Sequence, residues 1–351
     1  MGQLVRLEAP RQVAVVDYDE PPLEADGVRI ATLLSGISAG TELTQYTGSN
    51  PYTRKRWDRE RRLFLDGDVS VPYPIDTWGY EEVGRVVEVG TEANGVGVGD
   101  LVCGSWGHRS GHVASAEWAA GRLLPADADP LIGVFSRIGA IALNAVHDAA
   151  ARVGDVVAVF GQGVPGLLVT QLLRIGGASV VAVDGIPKRL DLARRFGADH
   201  VVDFTAASAA ETIKDLTDGR GADVSIEISG SYRALHEAIR STAYNSRVVV
   251  SGFPQGAGTD LSLSEEFHHN RIALVCSQIS GTNPELDHRW NAQRLERTVV
   301  DLAAAGRLDV ASLVTHTFPA ADAAAAFAML AESPSDAIQV VLDFGAPGDE
   351  P

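Results

Sequence analysis

The sequence predicts an α/β fold that joins a β-rich first domain to a doubly wound parallel sheet. Three observations carry this prediction. Short β-rich segments separated by turns fill the chain to about residue 125, apolar strands and helices alternate after about residue 138, and a glycine-rich turn lies inside that second region. Alternation of this kind, with near-continuous apolar strands, indicates a parallel sheet covered on both faces. The 351 residues are enough for two domains.

The first region has the pattern of a β unit. Residues 28–34 and 83–89 combine β-branched side chains with partial alternation, and residues 95–100 form a glycine-rich turn before a strand over 101–103. No helical period dominates there. Residues 52–62 are dense in arginine, lysine and aspartate, which predicts a solvated loop or a short helix.

The second region alternates regularly between strands and helices. Its apolar segments predict strands over 156–160, 180–183, 200–202, 223–228, 247–250 and 272–275. The segments between and before them predict helices over 138–151, 167–175, 187–196 and 232–242. The remaining chain predicts helices over 290–305 and 320–331 and a last strand over 337–344.

Charge and cysteine content restrict the partners. The chain carries 29 basic and 46 acidic residues, a net charge of −17. An acidic chain without a basic block lacks the electrostatic footprint of phosphate-backbone binding, so we expect neither nucleic acid nor an anionic membrane as a partner. Cys103 and Cys276 cannot form a four-thiolate zinc lobe, and both lie in apolar strands where we expect inert core residues. With no apolar leader, the expected location is the cytoplasm.

A glycine motif connects the first strand of the second region to the helix that follows. Gly161, Gly163 and Gly166 have the spacing of a dinucleotide-binding turn, with Val164 and Pro165 between them. The first glycine permits the tight turn, the second lets the backbone approach a pyrophosphate, and the third lets helix and strand pack closely. The helix N-terminus then offers unpaired N–H groups to the pyrophosphate. These residues also break an uncharged stretch into strand, turn and helix, which argues against a membrane span.

An acidic residue completes this motif. Asp184 ends the next strand, 18 positions after Gly166. It should accept hydrogen bonds from the adenosine ribose and repel a 2′-phosphate, which favours NAD over NADP. Arg189 would flank the adenine or weaken that preference. Loops after the later strands should line the same crevice, with cofactor contacts at Ser229, Gly230, Ser251 and Gly252.

The order of these parts resembles the medium-chain dehydrogenase/reductase superfamily, the relatives of zinc alcohol dehydrogenase. The likeness covers nearly the whole chain and includes the glycine motif, Gly79-Tyr80-Glu81, Gly97-Val98-Gly99-Asp100-Leu101-Val102 and residues 221–230. It implies a GroES-like catalytic domain over 1–128 and a Rossmann NAD-binding domain over 129–275. It further implies a C-terminal segment, 276–351, that completes the Rossmann edge and returns to the catalytic domain. The resemblance implies dimers or tetramers, and we expect a homodimer.

The chain departs from the zinc branch of that superfamily. Zinc members carry a Gly-Ile-Cys-Gly-Thr-Asp type segment with a thiolate ligand and a Gly-His-Glu segment with an imidazole ligand. The first segment here is Gly36-Ile37-Ser38-Ala39-Gly40-Thr41-Glu42, and the second has Tyr80 in place of histidine. A neutral serine is a poor zinc ligand, and tyrosine has no ring nitrogen. We therefore expect a zinc-independent member, whose first segment resembles that of bacteriochlorophyllide dehydrogenase and related natural-product oxidoreductases.

Four residues are candidates for the proton chemistry that zinc would otherwise assist. Tyr80 stands at the position of the lost imidazole, where its phenol points at the substrate oxygen or only fills the vacated volume. Glu81 is a base or a structural partner of arginine or backbone N–H groups. Thr41 matches the hydroxyl that relays the proton in zinc members or is a turn residue. Glu42, which is not one of the four, matches the acidic partner beside Thr41 and is expected to be structural. His108 lies in a small-residue loop that rims the site or is solvated.

Two further residues of that loop have a candidate role. Trp106 is placed to stack on a ring-shaped substrate, and His112 supplies a second imidazole. The alternative is an exposed loop in which neither touches a ligand.

Together these features predict an NAD-dependent enzyme that transfers a hydride between nicotinamide and a small secondary alcohol or ketone. A polyol, a cyclitol or a natural-product intermediate is the expected substrate class. Two alternatives remain open: an NADPH-dependent reductase of enones or quinones, against which Asp184 argues, and an NAD(H)-binding sensor without catalysis.

Overall fold

The chain forms two compact units, Met1–Arg137 with Val310–Pro351, and Ile138–Asp309. The structure is a computed structural model, and it describes residues 1–345. The expected boundaries after residues 128 and 275 lie earlier in the chain than these divisions. The first division falls within a long helix, and residues 276–309 cluster with the second unit because their helix packs there, with Leu295 and Val299 fully buried.

The first unit is built on a mixed sheet. The strands of this unit are β1 (Gly2–Ala9), β2 (Gln12–Tyr18), β3 (Gly27–Ile37), β4 (Arg56–Asp58), β5 (Leu63–Leu65), β6 (Glu81–Val89), β7 (Leu101–Gly104), β8 (Gly111–Ser115), β15 (Val314–Pro319) and β16 (Gln339–Asp343). β1 pairs with β2 and β4 with β5 in two separate two-stranded sheets. The main sheet has the order β15-β16-β3-β6-β7, with β8 also paired to β3, and only β15 and β16 run parallel in it. The strands β1, β2, β4, β5, β8 and β15 lay outside the sequence-based prediction.

Helices of the first unit are few, as predicted for a β-rich domain. They are α1 (Glu42–Tyr46), α2 (Ala116–Ala120), α10 (Ala323–Glu332) and the first residues of α3 (Leu131–Ala149). A core cluster that includes Leu7, Ile37, Trp78 and Phe327 packs between α10 and the sheets. This core holds the ends of β3 and the segment before β6 in place, which is where the polar site described below lies.

The second unit is a parallel sheet with helices, as predicted. Its strands are β9 (Val156–Phe160), β10 (Ser179–Asp184), β11 (His200–Asp203), β12 (Ala222–Glu227), β13 (Thr242–Val250) and β14 (Ala273–Cys276). The helices are α4 (Val164–Ile175), α5 (Pro187–Arg195), α6 (Ala209–Leu216), α7 (Tyr232–Ser241), α8 (Glu266–His269) and α9 (Ala292–Ala304), with the rest of α3. In the order β11-β10-β9-β12-β13-β14, the chain adds strands on one side of β9 as far as β11 and then on the other side from β12 onward. In open α/β sheets, ligands bind at such switch points.

Two helices begin at capping signals that the prediction did not use. α3 begins before the predicted residue 138, because the Asp129 carboxylate accepts the N–H of the first helical residue at 2.9 Å and Pro130 stands directly before the helix. α6 was not predicted, although the Ser208 hydroxyl accepts the N–H of Glu211 at 3.4 Å. A serine followed three residues later by glutamate is a helix-start signature.

Two structural findings bear on the remaining sequence-based expectations. Among residues 1–345, no helix is both long and apolar enough to cross a membrane. The expected burial of Cys276 is wrong: β14 is the last strand of its sheet, and the thiol at its end is exposed. Cys103 is buried as expected.

Candidate active site

Three hydroxyl groups meet where β3 and β6 leave the mixed sheet of the first unit. These strands are antiparallel and Gly36 pairs with Glu81, so Ser38 and Tyr80, just beyond that pair, lie side by side. The Tyr80 phenol is hydrogen-bonded to the Ser38 hydroxyl and donates to Oγ1 of Thr41 at 3.4 Å. The structure therefore brings together the two positions at which the chain departs from the zinc branch.

The phenol in this cluster is held in its neutral form. Burial raises the pKa of Tyr80, and the neighbouring Glu81 raises it further. Tyr80 and Thr41 are partly exposed, whereas Ser38 is only 6% exposed behind them. The cluster can therefore present a neutral O–H donor to a ligand and pass a proton between hydroxyls, but it does not supply a phenolate at neutral pH.

A buried imidazole connects the two segments that form this site, residues 38–42 after β3 (the first arm) and residues 79–80 before β6 (the second arm). His108 Nε2 lies 2.7 Å from Oε2 of Glu42, and the other oxygen of that carboxylate accepts the Ser38 N–H at 3.0 Å. The His108 ring also packs directly on Gly79, where a Cβ would lie 2.8 Å from it and where φ is +93°. His108 thus contacts the segment that carries Ser38 and the residue before Tyr80, which fixes one relative to the other.

The second ring nitrogen of His108 is linked through the Ser35 hydroxyl to another buried carboxyl group, that of Glu82. Nδ1 lies 2.6 Å from the Ser35 hydroxyl, which donates to Oε1 of Glu82 at 3.1 Å. Oε2 of Glu82 accepts the N–H of Trp106 at 2.7 Å. Sequence analysis missed Ser35 and Glu82; the Glu81-Glu82 pair at the start of an apolar strand was the available signal.

Burial shifts the acid–base behaviour of this network. It raises the pKa of Glu82 to about 7 and that of Glu81 well above its ordinary value. Burial opposes protonation of His108, but the charges of Glu42 and Glu82 outweigh it and raise the imidazole pKa. Oε2 of Glu81 accepts from Gln339 Nε2 at 3.3 Å, while its Oε1 has no partner among the described residues.

The structure revises the expectations for the loop after β7. His108 is 1% exposed and both ring nitrogens are engaged, so it has no nitrogen left for a substrate. Trp106 does not offer its face to a ligand: it is 7% exposed, stacks on His112 at 5.3 Å and donates to Thr32 at 3.0 Å. Burial lowers the pKa of His112 to about 4, so this imidazole is neutral at neutral pH.

The donors at this site do not fit a catalytic zinc. Ser38 and Tyr80 are neutral hydroxyls that satisfy each other, and zinc sites use thiolate, imidazole or carboxylate ligands. In the part of the chain that the structure describes, no three His, Cys, Asp or Glu side chains are grouped to hold a metal ion.

In the second unit, the glycine motif forms the turn between β9 and α4. Gly161 has φ +96°, and a Cβ on Gly166 would lie 1.8 Å from the Gly161 carbonyl oxygen, so each position requires glycine. Gly163 precedes the helix and faces open space, with no side-chain cap on the first N–H groups of α4. Val164 and Pro165 are the first two residues of that helix. The turn therefore leaves room for a phosphate at a helix N-terminus, and its residues fit a dinucleotide.

Asp184 ties the end of β10 to this turn. One carboxylate oxygen accepts the Gln162 N–H at 2.7 Å, and the other accepts the N–H groups of Gly185 and Ile186 at 2.8 and 2.9 Å. Nη1 of Arg189 lies 4.0 Å from the same carboxylate. The three N–H groups hold the acid in place and leave about one acceptor site, on the oxygen bonded to Gln162, for a ribose hydroxyl. The arginine reduces the repulsion that a 2′-phosphate would meet.

A buried glutamate that the sequence analysis missed organises the loops across the switch point. One oxygen of Glu227, the last residue of β12, accepts the N–H groups of Ser229 and Gly230 at 2.7 and 3.0 Å. Its backbone carbonyl accepts those of Ser251 and Gly252 at 2.8 and 3.0 Å. The predicted contact residues of both loops are thus brought together around one residue, through its side chain on one loop and its backbone carbonyl on the other. Burial raises the pKa of the Glu227 carboxyl.

The Glu227 loops also meet the glycine turn. A Cβ on Gly161 would lie 2.7 Å from Cβ of Ser229, and one on Gly252 would lie 2.6 Å from Oε2 of Glu227. That Oε2 has no hydrogen-bond partner within residues 1–345. The close approach explains why glycine occupies both positions.

Comparison with known proteins agrees with this architecture. A family profile described as zinc-binding dehydrogenase matches residues 165–292. The D-guloside 3-dehydrogenase of Escherichia coli strain K12 is 32% identical over 314 residues, which cover 87% of this chain and 89% of that protein. The L-threonine 3-dehydrogenase of Burkholderia thailandensis is 27% identical over 311 residues, 79% and 84% of the two chains.

Solved structures show the same fold. The 2R,3R-butanediol dehydrogenase from Bacillus subtilis superposes with a TM-score of 0.78 at 22% identity, covering 98% of this chain and 100% of that one. Fold, glycine turn and relatives together define an oxidoreductase of the medium-chain class. The chain belongs to the zinc-binding dehydrogenase family of the medium-chain dehydrogenase/reductase superfamily.

Proposed function

We propose that this protein is a zinc-independent, NAD-dependent dehydrogenase that oxidises a secondary hydroxyl of a polyol or sugar and runs in reverse as a ketoreductase. The observation that carries the proposal is the cluster of Tyr80, Ser38 and Thr41. Neutral hydroxyls stand where zinc members have metal ligands, within reach of solvent at Tyr80 and Thr41.

The chain's own residues handle the proton. A secondary alcohol loses a hydride from its carbinol carbon and a proton from its hydroxyl, and becomes a ketone. Bound NAD⁺ supplies the hydride acceptor. The Tyr80 oxygen accepts the substrate proton as its own proton passes to Ser38 or Thr41 and on to solvent, so no phenolate forms. In the reverse direction the phenol donates to the ketone oxygen.

The buried network positions these hydroxyls. His108 contacts Glu42 on one arm and Gly79 on the other, and we assign it a positioning role together with Glu42. Glu81, directly after Tyr80, is the nearest candidate for a proton reservoir because its neutral form is favoured. NAD, rather than NADP, is proposed because the Asp184 carboxylate lies at the end of β10 beside the glycine turn.

The relatives support the substrate class. The guloside and threonine enzymes are both named as 3-dehydrogenases, and the protein of similar fold is named for butanediol. All three names describe dehydrogenation of a hydroxylated small molecule, so we extend this chemistry to the present chain.

The test is turnover by chelator-treated protein whose zinc content has been measured. We expect NAD reduction with secondary alcohols, sugars, glycosides or cyclitols to survive metal removal, and NADP to be the poorer cofactor. Activity lost with the metal and restored by Zn²⁺ would contradict the metal-independent reaction. NADPH oxidation with enones or quinones, without any alcohol turnover, would replace this proposal by a C=C reductase. Tight NADH binding with no turnover on either panel would indicate a sensor.

A further inference from the structure

The net charge of the chain conceals a basic surface element. Residues 54–62 contain six of the 29 basic residues and two of the 46 acidic residues of the chain. They form β4 and the turn of a two-stranded hairpin with β5, not the loop or short helix that the sequence suggested. The expectation of a chain without a basic block therefore fails locally.

Most of these cations are exposed and lack ion-pair partners. Lys55 lies 3.3 Å from Asp66. Within residues 1–345, no ion pair engages the five exposed arginines of this segment, which are Arg54, Arg56, Arg59, Arg61 and Arg62. Over residues 50–71 the six basic residues outnumber the four acidic ones, so the hairpin carries a net positive charge in an otherwise acidic protein.

Aromatic side chains lie beside these cations on the same hairpin. Trp57 and Phe64 are a cross-strand pair with ring centroids 4.8 Å apart, and Tyr52 packs on Phe64 at 5.1 Å. Tyr52 and Phe64 remain 37% exposed. Aromatic faces beside arginine forks suit a ligand that combines a ring with an anionic group.

The hairpin is inserted between the two arms of the hydroxyl cluster, after Thr41 and before Tyr80. Asn50 at the start of the hairpin and Tyr73 just after its end are both hydrogen-bonded to α1. Nδ2 of the buried Asn50 donates to Thr44 Oγ1 at 2.7 Å, and the Tyr73 hydroxyl donates to the Gln45 carbonyl at 2.5 Å. α1 begins immediately after Thr41. The hairpin base and the reactive hydroxyls therefore share one support.

We propose that this basic aromatic hairpin, residues 50–71, binds the anionic group of the substrate, so that the enzyme acts on a polyol or sugar that carries a phosphate or a carboxylate. The inference rests on the proposed dehydrogenase function and names its substrate class. Arginine forks hold the anion and the aromatic faces pack on the ring, while the hydroxyl to be oxidised is presented to Tyr80 and Thr41.

The test compares charged and neutral sugars by calorimetric titration of the NADH-loaded protein. Glucose 6-phosphate and galacturonate are the anionic probes, and glucose and galactose are their neutral counterparts. We expect the anionic sugars to bind about tenfold more tightly, with the difference shrinking between about 20 mM and about 200 mM salt.

The test variant is Arg56→Gln/Arg59→Gln/Arg61→Gln. Arg62 and Arg54 are left unchanged, because Arg62 has a backbone φ of +53° and Arg54 ends a 3₁₀ turn, so that substitutions there could alter the backbone. The matched control, Arg152→Gln/Arg233→Gln/Arg307→Gln, removes the same charge from exposed positions in the second unit. The hairpin variant should lose the preference for anionic sugars, whereas the control should keep it.

Three results would overturn the hairpin proposal. They are equal affinity for charged and neutral sugars, failure of both anionic sugars to bind, and an equal loss in the control variant. Retention on anionic phospholipid vesicles that only the hairpin variant loses, with no discrimination between sugars, would assign the hairpin to a membrane surface instead. Preferential binding of anionic sugars without turnover of any polyol would leave the hairpin proposal standing and contradict the dehydrogenase function.

Discussion

Tyr80 is the residue on which the proposed chemistry depends. Its phenol bonds Ser38 and Thr41, while burial and the adjacent Glu81 keep its pKa above the ordinary value. A phenol of this kind is a hydrogen-bond donor throughout the neutral range. Its contribution should therefore appear in the proton step and not in cofactor binding, whose predicted residues lie in the other unit.

Replacing Tyr80 by phenylalanine removes the donor and keeps the ring. We expect kcat for alcohol oxidation to fall roughly 100-fold, the scale of losing a positioned proton-transfer group. The NADH dissociation constant should change by less than about twofold. Steady-state kinetics and NADH fluorescence titration measure the two quantities. Tyr244→Phe, at a 65% exposed tyrosine, is the control and should change neither. A Tyr80→Phe enzyme with unchanged kcat would remove Tyr80 from the reaction.

At the scale of elements, the candidate cofactor site is an arrangement of loops at the carboxyl ends of parallel strands. β10 supplies Asp184 on one side of the switch point, and the loops after β12 and β13 lie on the other side, joined by Glu227. We expect Asp184 to contact the adenosine half of the proposed cofactor, which would place the nicotinamide half at the Glu227 loops.

Glu227→Gln tests this division of the site. The amide keeps the size of the side chain but offers one acceptor oxygen fewer beside Ser229 and Gly230. We expect NADH affinity to fall about tenfold, the cost of one or two buried hydrogen bonds. ADP-ribose affinity should stay within about twofold. Calorimetric titration of both ligands gives the ratio, with Glu211→Gln, an exposed glutamate of α6, as control. An equal loss for both ligands would mean that Glu227 supports the whole unit and not the nicotinamide loops.

At the scale of the whole molecule, buried carboxyl groups link stability to pH. Burial raises the pKa of Glu82 from an unfolded value of 4.5 to about 7 in the folded protein. Between these values the folded state binds a proton that the unfolded state has released. The contribution of Glu82 to the unfolding free energy is therefore complete below pH 4.5 and is lost as pH rises to about 7.

Glu82→Gln should flatten this dependence. Wild type should lose on the order of 3 kcal/mol more than the variant between pH 4.5 and about 7, since each unit of pKa shift is worth about 1.4 kcal/mol. Urea unfolding at a series of pH values measures the difference. Glu88→Gln, a more exposed glutamate on the same strand β6, should retain the wild-type slope. Parallel curves for wild type and Glu82→Gln would show that another group carries the linkage.

Local signals made much of the fold and the cofactor turn predictable. Apolar strands separated by helices indicated the parallel sheet. Gly161 and Gly163 lie in the predicted turn, whereas Gly166 lies in the first turn of α4, which begins at Val164, before the predicted residue 167. The helix starts at Asp129 and Ser208 were also readable from short-range capping patterns, but the prediction did not use them. Strand β15 was also missed, although residues 314–318 alternate threonine with valine, histidine and phenylalanine, the period of a half-buried strand.

The network around the candidate active site was less accessible. Ser38 and Tyr80 were recognised as substitutions, yet their hydrogen bond follows from the β3–β6 register. His108 was placed in a loop at the site or in solvent, and the structure buries it between Glu42 and Ser35. Contacts between residues more than 40 positions apart leave no local pattern in the sequence.

The β-rich region, the parallel-sheet region and the glycine turn were predictable from residue type and spacing along the chain, which are visible without a structure. The hydroxyls at Ser38 and Tyr80 were recognised as replacements of metal ligands through the resemblance to zinc members. The tertiary structure decided that Tyr80, Ser38 and Thr41 form one cluster and that Glu227 joins two loops. It also decided that the cations of residues 54–62 stand exposed on a hairpin. These facts depend on strand register and burial, which arise only when distant segments pack together.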